Sequence, residues 1–411
     1  MPRPVGKASY RALLRLPGAA PAFAYAALLR LSYATVALSY LLVVQDATGS
    51  FAVAGAALSA FALPSLIAPY KSRLIDRVGV RPGLTALGVG YASVLVGVAG
   101  CGVWEVASPR PYVVLAAVAG VLTPPVGPVM RGRWAALTHS DAERNRAYSL
   151  DAVAEEGLFA AGPLLVGGVV LIAAPVAALL LTAVLALVGS VALGWTAPAP
   201  ARAVVAQVRS ASPTAGRFFG SLRVPGIRWL ALAMLGLGVA LAPLEIAVVA
   251  RATEAGNPAA AGVLLALLSV GSVAGGLMWG RLRLARRRSS QLLAVLALVG
   301  AGTATAGSAS TLPLLAVVLA VTGLGIAPAF VVAFVIADRL VDDSIRTETS
   351  TWIATASNVG GSLGLASAGL LVEHVSAGAA FVAGGMLLVG LLPLLVVLRE
   401  RSGLAETPTG S

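Results

Sequence analysis

The sequence is poor in charge, and of its 411 residues only 11% are Asp, Glu, Lys or Arg. A soluble domain carries about 25%, so these charges are too few to cover a water-facing surface. Cysteine occurs once, at Cys101, which excludes an intrachain disulfide and a cysteine metal cluster. The two histidines, His139 and His374, leave nothing for a zinc or haem motif. No glycine-rich loop precedes a lysine in the phosphate-binding pattern, which argues against direct use of ATP. No cofactor is expected. His139-Ser140-Asp141-x-Glu143 reads as ordinary loop surface, and Cys101, in an apolar run, as an inert core thiol. Six amides in the whole chain are too few to bind a sugar through its hydroxyls.

Hydrophobic residues make up 58% before the 46 glycines are counted, and mean hydropathy is +0.91. A membrane-crossing helix needs about 20 apolar residues. The chain divides into twelve such runs, at 19–45, 51–70, 82–104, 111–130, 148–171, 174–196, 227–250, 259–280, 290–310, 312–337, 348–372 and 377–398. Strand-like alternation does not persist, so an all-α integral membrane fold is expected. The basic start and long apolar run at the N-terminus read as an uncleaved first span rather than a signal peptide.

Of 29 basic residues, 27 are arginine, which gives a net charge of +12. Taking alternate loops as cytoplasmic puts 26 of them on one side and two, Arg110 and Arg251, on the other; Arg30 lies within the first span. Basic residues stay on the cytoplasmic side. The expected topology therefore has both termini in the cytoplasm, and the composition favours a bacterial inner membrane. Topology also accounts for the Arg281–Arg288 cluster. Membrane lipids are its expected partner, and nucleic acid is not.

The longest polar stretch, 198–226, separates an N-terminal six-span bundle (1–197) from a C-terminal one (227–398), with a tail at 399–411. Gly162 and Gly167 in span five match Gly364 and Gly369 in span eleven at one offset of 202. Pro125 in span four matches Pro328 in span ten at 203. Parallel six-helix repeats are a transporter architecture. Pro124, Pro125 and Pro128 are expected to kink span four.

Charges at bilayer depth mark candidate functional residues. Arg30 lies roughly 15 Å into the first helix, near its middle. Asp151, Glu155 and Glu156 enter span five from the cytoplasmic side, and Asp151 and Glu155, four apart, share a face. An ion pair between Arg30 and the Glu155/Glu156 pair is expected, with Glu156 as the coupling carboxylate. A carboxylate poised between a proton and an arginine is minimal machinery for proton coupling; a purely structural clamp is the competing reading. Glu245 in span seven reads equally as a cavity or an interface residue. Asn358 and Glu348 in span eleven are weaker candidates, Glu348 suiting the first helical turn.

The 2–3 loop, Ser72-Arg73-Leu74-Ile75-Asp76-Arg77-Val78-Gly79-Val80-Arg81, resembles the signature of the major facilitator superfamily. Asp76, Arg77, Gly79 and Arg81 match it, while Ser72 replaces a glycine and Val80 a basic residue. The resemblance covers the whole chain and implies two pseudo-symmetric six-helix bundles working by alternating access. It also implies a monomer and a cytoplasmic gate, in which Asp76 caps a neighbouring helix start or pairs with an arginine, Arg131 and Arg133 being the candidate partners. Gly162-Pro163-Leu164-Leu165-Val166-Gly167-Gly168 is similar to the Gly-Pro-x-x-Gly-Gly motif of drug/proton antiporters, with one extra residue. Close helix packing is the general reading of such small residues, and it extends to Gly271, Gly275, Gly276 and Gly280.

The residues and the resemblance together point to a secondary transporter, not an enzyme, that exports a small amphipathic compound in exchange for protons. Two alternatives stand beside it: a proton symporter taking up a small organic anion at Arg30, and a polytopic scaffold or membrane enzyme.

Overall fold

The computed structural model describes residues 10–64, 71, 75, 78–138, 140–196, 223–281, 287–341 and 346–401. A short helix, Tyr10–Leu14, precedes fourteen longer ones. In the first half these are α1 (Ala19–Thr48), α2 (Phe51–Ala62), α3 (Val80–Val103), α4 (Pro109–Leu122), α5 (Val126–Leu137), α6 (Asp141–Ile172) and α7 (Pro175–Trp195). The second half holds α8 (Pro225–Glu254), α9 (Ala260–Arg281), α10 (Arg288–Ala306), α11 (Leu312–Gly323), α12 (Ile326–Leu340), α13 (Arg346–His374) and α14 (Ala377–Arg401). Strands are absent among the described residues.

Among the described residues, ten segments are long and apolar enough to cross a bilayer. The remaining two spans are α2, whose expected continuation to residue 70 lies outside the described residues, and the more polar α13. Twelve spans in two six-helix halves is the architecture expected from hydropathy. The first helix of each half, α1 and α8, runs innermost, with 72% of its apolar window buried. The apolar face of α6 is by contrast largely open, with only 17% buried. Lipid offers the backbone no partners, so helix is the state that satisfies every N–H and C=O within one segment.

Spans four and ten are each broken in two. Span four breaks at residues 123–125, as its prolines predict. Span ten breaks at Leu324 and Gly325, between glycines and ahead of Pro328, so the pseudo-symmetry lies in the break rather than in matched prolines. The break in span four frees carbonyls that need donors. Lys71 Nζ supplies them, donating to Gly120 O and Thr123 O at 3.1 Å each. Charge counting assigns Lys71 to topology alone, yet it also caps the end of α4.

The glycine repeat sets how the halves meet. Gly162 of α6 lies against Ala34 of α1 in its own half, and Gly364 of α13 lies against Val239 and Ala242 of α8 in its half. Five residues further on, the second glycine of each pair turns to the other half. A Cβ on Gly167 would come within 2.8 Å of Ala259 O and 3.3 Å of Gly262 Cα in α9. A Cβ on Gly369 would come within 2.5 Å of Phe51 O and 3.1 Å of Gly55 Cα in α2. Each half thus uses its fifth span twice, first on its own innermost helix and then on the second span of its partner half. Gly168, expected to pack with Gly167, is instead exposed, and a Cβ built on it would meet nothing within 4 Å, because successive helical residues differ by about 100° in direction. Gly271 and Gly275 pack α9 against α11 and the break in span ten, within one half.

Candidate functional site

Arg30 is 1% exposed on α1 and reaches α6. Its two terminal nitrogens donate to both oxygens of Asp151, at 2.8 and 2.5 Å, and its Nε lies 3.4 Å from Glu155 Oε2. The parallel geometry is the strong form of a charge-assisted bond. Asp151 is 6% exposed, whereas Glu155 keeps 41% of its side chain open. The expected pairing of Arg30 with Glu156 is corrected here. Asp151 and Glu155 lie one turn apart and face α1 together, while Glu156, about 100° further round the helix, is exposed and outside the cluster.

Immediately above this triad lies a cavity of about 210 Å³ between the halves. Its walls come from α1 (Tyr33, Ala34, Ala37, Leu38, Leu41), α6 (Phe159, Pro163), α8 (Glu245) and α9 (Leu265, Leu268, Ser269). Tyr33 follows Arg30 by three residues and Phe159 follows Glu155 by four, so the triad sits one turn beneath the cavity floor. Glu156, three residues before Phe159 and seven before Pro163, shares their face of α6.

Glu245 is the charge in this apolar wall. Pro243, two residues earlier, packs against Gly384 of α14, and residues 242–244 and 246–250 are buried. Glu245 alone in that stretch is open, and its opening is the cavity. Among the described residues its carboxylate has neither an ion pair nor a hydrogen bond. Of the two sequence readings for Glu245, the structure gives the cavity. Asn358 is exposed on α13 and does not line that cavity. The side chain of Glu348 lies outside the described residues.

At the arginine-rich end, Asp76 and Arg77 lie outside the described residues. Gly79 makes the turn into α3 with φ of 106°, a conformation that disfavours any side chain. Arg81 stacks over Trp195, 3.3 Å from the ring centroid. Arg133 donates to Thr196 Oγ1 at 3.1 Å, to Gly18 O at 3.3 Å, and to Thr196 O. It therefore ties together the ends of α1, α5 and α7. Arg131 is exposed, with its guanidinium over Gly127.

At the opposite end a contact appears that carries no sequence signal. Glu373, one residue past the apolar span 348–372, accepts bonds from Ser50 Oγ and from Ala52 N, the latter at 2.8 Å. Ser50 and Ala52 lie in the other half from Glu373, 323 and 321 residues away.

Residues 243–411 match the Major Facilitator Superfamily. No curated protein sequence matches the chain. Among solved structures, the nucleoside transporter NupG superposes with a TM-score of 0.76 at 13% identity, over 92% of this chain and 98% of that one. A bacterial homologue of the iron transporter ferroportin, in its inward-facing state, gives 0.71 at 16% identity over 94% and 99%. The human organic anion transporter MFSD10 gives 0.60 at 15% identity over 92% and 98%. The fold is the one shared by these solved membrane transporters. The family match spans 169 of the 411 residues, in the C-terminal part of the chain, and points to the major facilitator superfamily.

Proposed function

We propose that the protein exports a small amphipathic monocation in exchange for protons, by alternating access across a bacterial cytoplasmic membrane. On this reading the arginine-rich loops and both termini face the cytoplasm. The glycine seams closed at the arginine-poor end, with Ala152, Val153, Glu156 and Gly157 open on α6 towards the other, correspond to an inward-open state.

The observation that carries the proposal is Glu245, an unpartnered carboxylate on an apolar cavity wall. A charge in such surroundings must be neutralised, and there are two ways to do it: a proton or a cationic substrate. If the two compete for one carboxylate, binding of one releases the other, and the exchange is antiport. Tyr33 and Ser269 are the other polar lining groups, and the remaining eight are apolar. This suits a compound with an apolar body and a single charge.

Arg30 supports the same choice. The organic-anion alternative requires a free guanidinium, and this one is buried and held by Asp151 and Glu155. Its role on this reading is to fix α1 against α6 and to hold Glu155 at the open end of the cavity, where protons leave with Glu156 nearby. One chain contributes both halves of the cavity, so a monomer suffices, with lipid against its exposed apolar faces.

Inverted vesicles with a respiration-driven pH gradient, reported by a quenched dye, test this. Tetraphenylphosphonium, ethidium and an organic acid are added in turn. The proposal expects a cation to restore fluorescence with the native protein and not with Glu245→Gln. Restoration by the acid alone, or equal responses from both proteins, would overturn it.

A further inference from the structure

The two glycine seams are matched almost atom for atom. A Cβ on Gly55 would meet Leu365 O at 2.5 Å and Gly369 Cα at 3.0 Å. One on Gly262 would collide with Pro163 O, which holds the place of Leu365 O at the same offset of 202, and would lie 3.0 Å from Gly167 Cα. One feature breaks the match. Where α13 places Glu373, α6 at the same offset places Leu171, which is 71% exposed. Where α2 begins with Ser50, the corresponding residue ahead of α9 is Asn257. The carboxylate bridge exists on one seam of two.

Its geometry is that of a helix cap supplied from the other half. Ser50 is the N-cap of α2, and its Oγ accepts from Val53 N at 3.1 Å. The first turn of any helix leaves N–H groups without partners. Ala52 N is one of these, and Glu373 takes it at 2.8 Å while also accepting from the Ser50 hydroxyl. The positive end of the helix dipole favours the negative charge there. Because the Val53 bond is internal to α2, the helix remains capped without Glu373.

We propose that Glu373 is a one-sided latch on the outer gate. It holds α13 on α2 while the cavity is closed to the outside, and releases each time the halves rock apart at this end. Rocking of one bundle against the other is the transport movement of such repeats, and it cannot separate α2 from α13 here without breaking both bonds. The α6–α9 seam, with no such bridge, closes by shape alone. Glu373 therefore biases the resting protein towards its inward-open state without touching substrate.

The inference rests on the proposed topology, and the test separates the two. Ser269→Cys in a Cys101→Ala background places one thiol on the cavity wall, and a membrane-impermeant maleimide is applied to right-side-out vesicles. Slow labelling is expected with Glu373 intact, labelling about tenfold faster with Glu373→Ala, and an intermediate rate with Glu373→Gln, whose carbonyl still accepts from Ala52. Ser50→Ala should also accelerate labelling, and adding it to Glu373→Ala should bring little more. Leu171→Ala, on the unbridged seam, should change nothing. Gly55→Ala serves as the positive control, since its Cβ forces that seam apart. If Gly55→Ala labels fast while Glu373→Ala labels at the native rate, the latch is overturned. If the Glu373→Ala effect appears only in inverted vesicles, the topology fails and the latch stands.

Discussion

Arg30 and Asp151 are joined by two parallel N–H···O bonds across the α1–α6 contact, with both side chains almost fully removed from solvent. Removing one partner of such a pair strands the other charge, at a cost of about 3–5 kcal/mol. Arg30→Ala and Asp151→Asn should therefore each lower thermal stability sharply in detergent. Arg30→Met with Asp151→Leu should recover most of the loss. Losses that simply add would contradict the pair.

Glu156→Gln is expected to leave stability within about 0.5 kcal/mol of the native protein, as for an exposed substitution, because Glu156 does not bond Arg30. Thermal unfolding beside Arg30→Ala measures the contrast. A loss as large as that of Arg30→Ala would restore Glu156 to the cluster.

The sequence made the spans legible, because twenty apolar residues have few alternatives in a bilayer, and depth followed from helical rise. Arg30 and the acids of span five could thus be placed at one level. Which acid meets the arginine depends on direction around α6, and this is set by Gly162 seating that helix against Ala34. Glu156 and Gly168 were misread for that reason. Glu373 with Ser50 was unreadable for another: the bond spans the two halves, and no local pattern encodes it.

The seams predict a sharp difference between neighbouring glycines. Gly262→Val should reduce transport at least tenfold with normal membrane abundance, since its side chain would collide with the Pro163 carbonyl. Gly168→Val, facing open space, should be close to native. Uptake assays normalised to protein amount distinguish them. Equal effects would show that the seam is not a close contact.

The outer latch should ignore mild acid. The Ser50 hydroxyl and the Ala52 N–H hold the Glu373 carboxyl below the usual carboxylate range, and the adjacent His374 acts in the same direction. A lowered pKa in the closed state means its stabilisation is complete above the ordinary Glu value, about 4.3. It is lost only as pH falls through the depressed value. Relative to Glu373→Ala, whose reporter thiol carries the same pH dependence, native maleimide labelling from outside should stay flat as external pH drops from about 8 to about 6, a range well above that value. A rise within that range would contradict the assignment.

Gly79→Ala should destabilise the protein by about 1–3 kcal/mol, the penalty for a side chain in an extended, positive-φ conformation that is almost exclusive to glycine. Thermal unfolding measures it, and an unchanged midpoint would remove the strained turn from the account.

The central claim is that Glu245 exchanges a proton for a cationic substrate. Purified protein in weakly buffered detergent, titrated with tetraphenylphosphonium while a pH indicator follows the solution, measures that exchange directly. The account predicts that cation binding releases protons, that affinity falls as the medium is made more acid, and that Glu245→Gln abolishes the release. Cation binding with no proton released, or with the same release from Glu245→Gln, would contradict it.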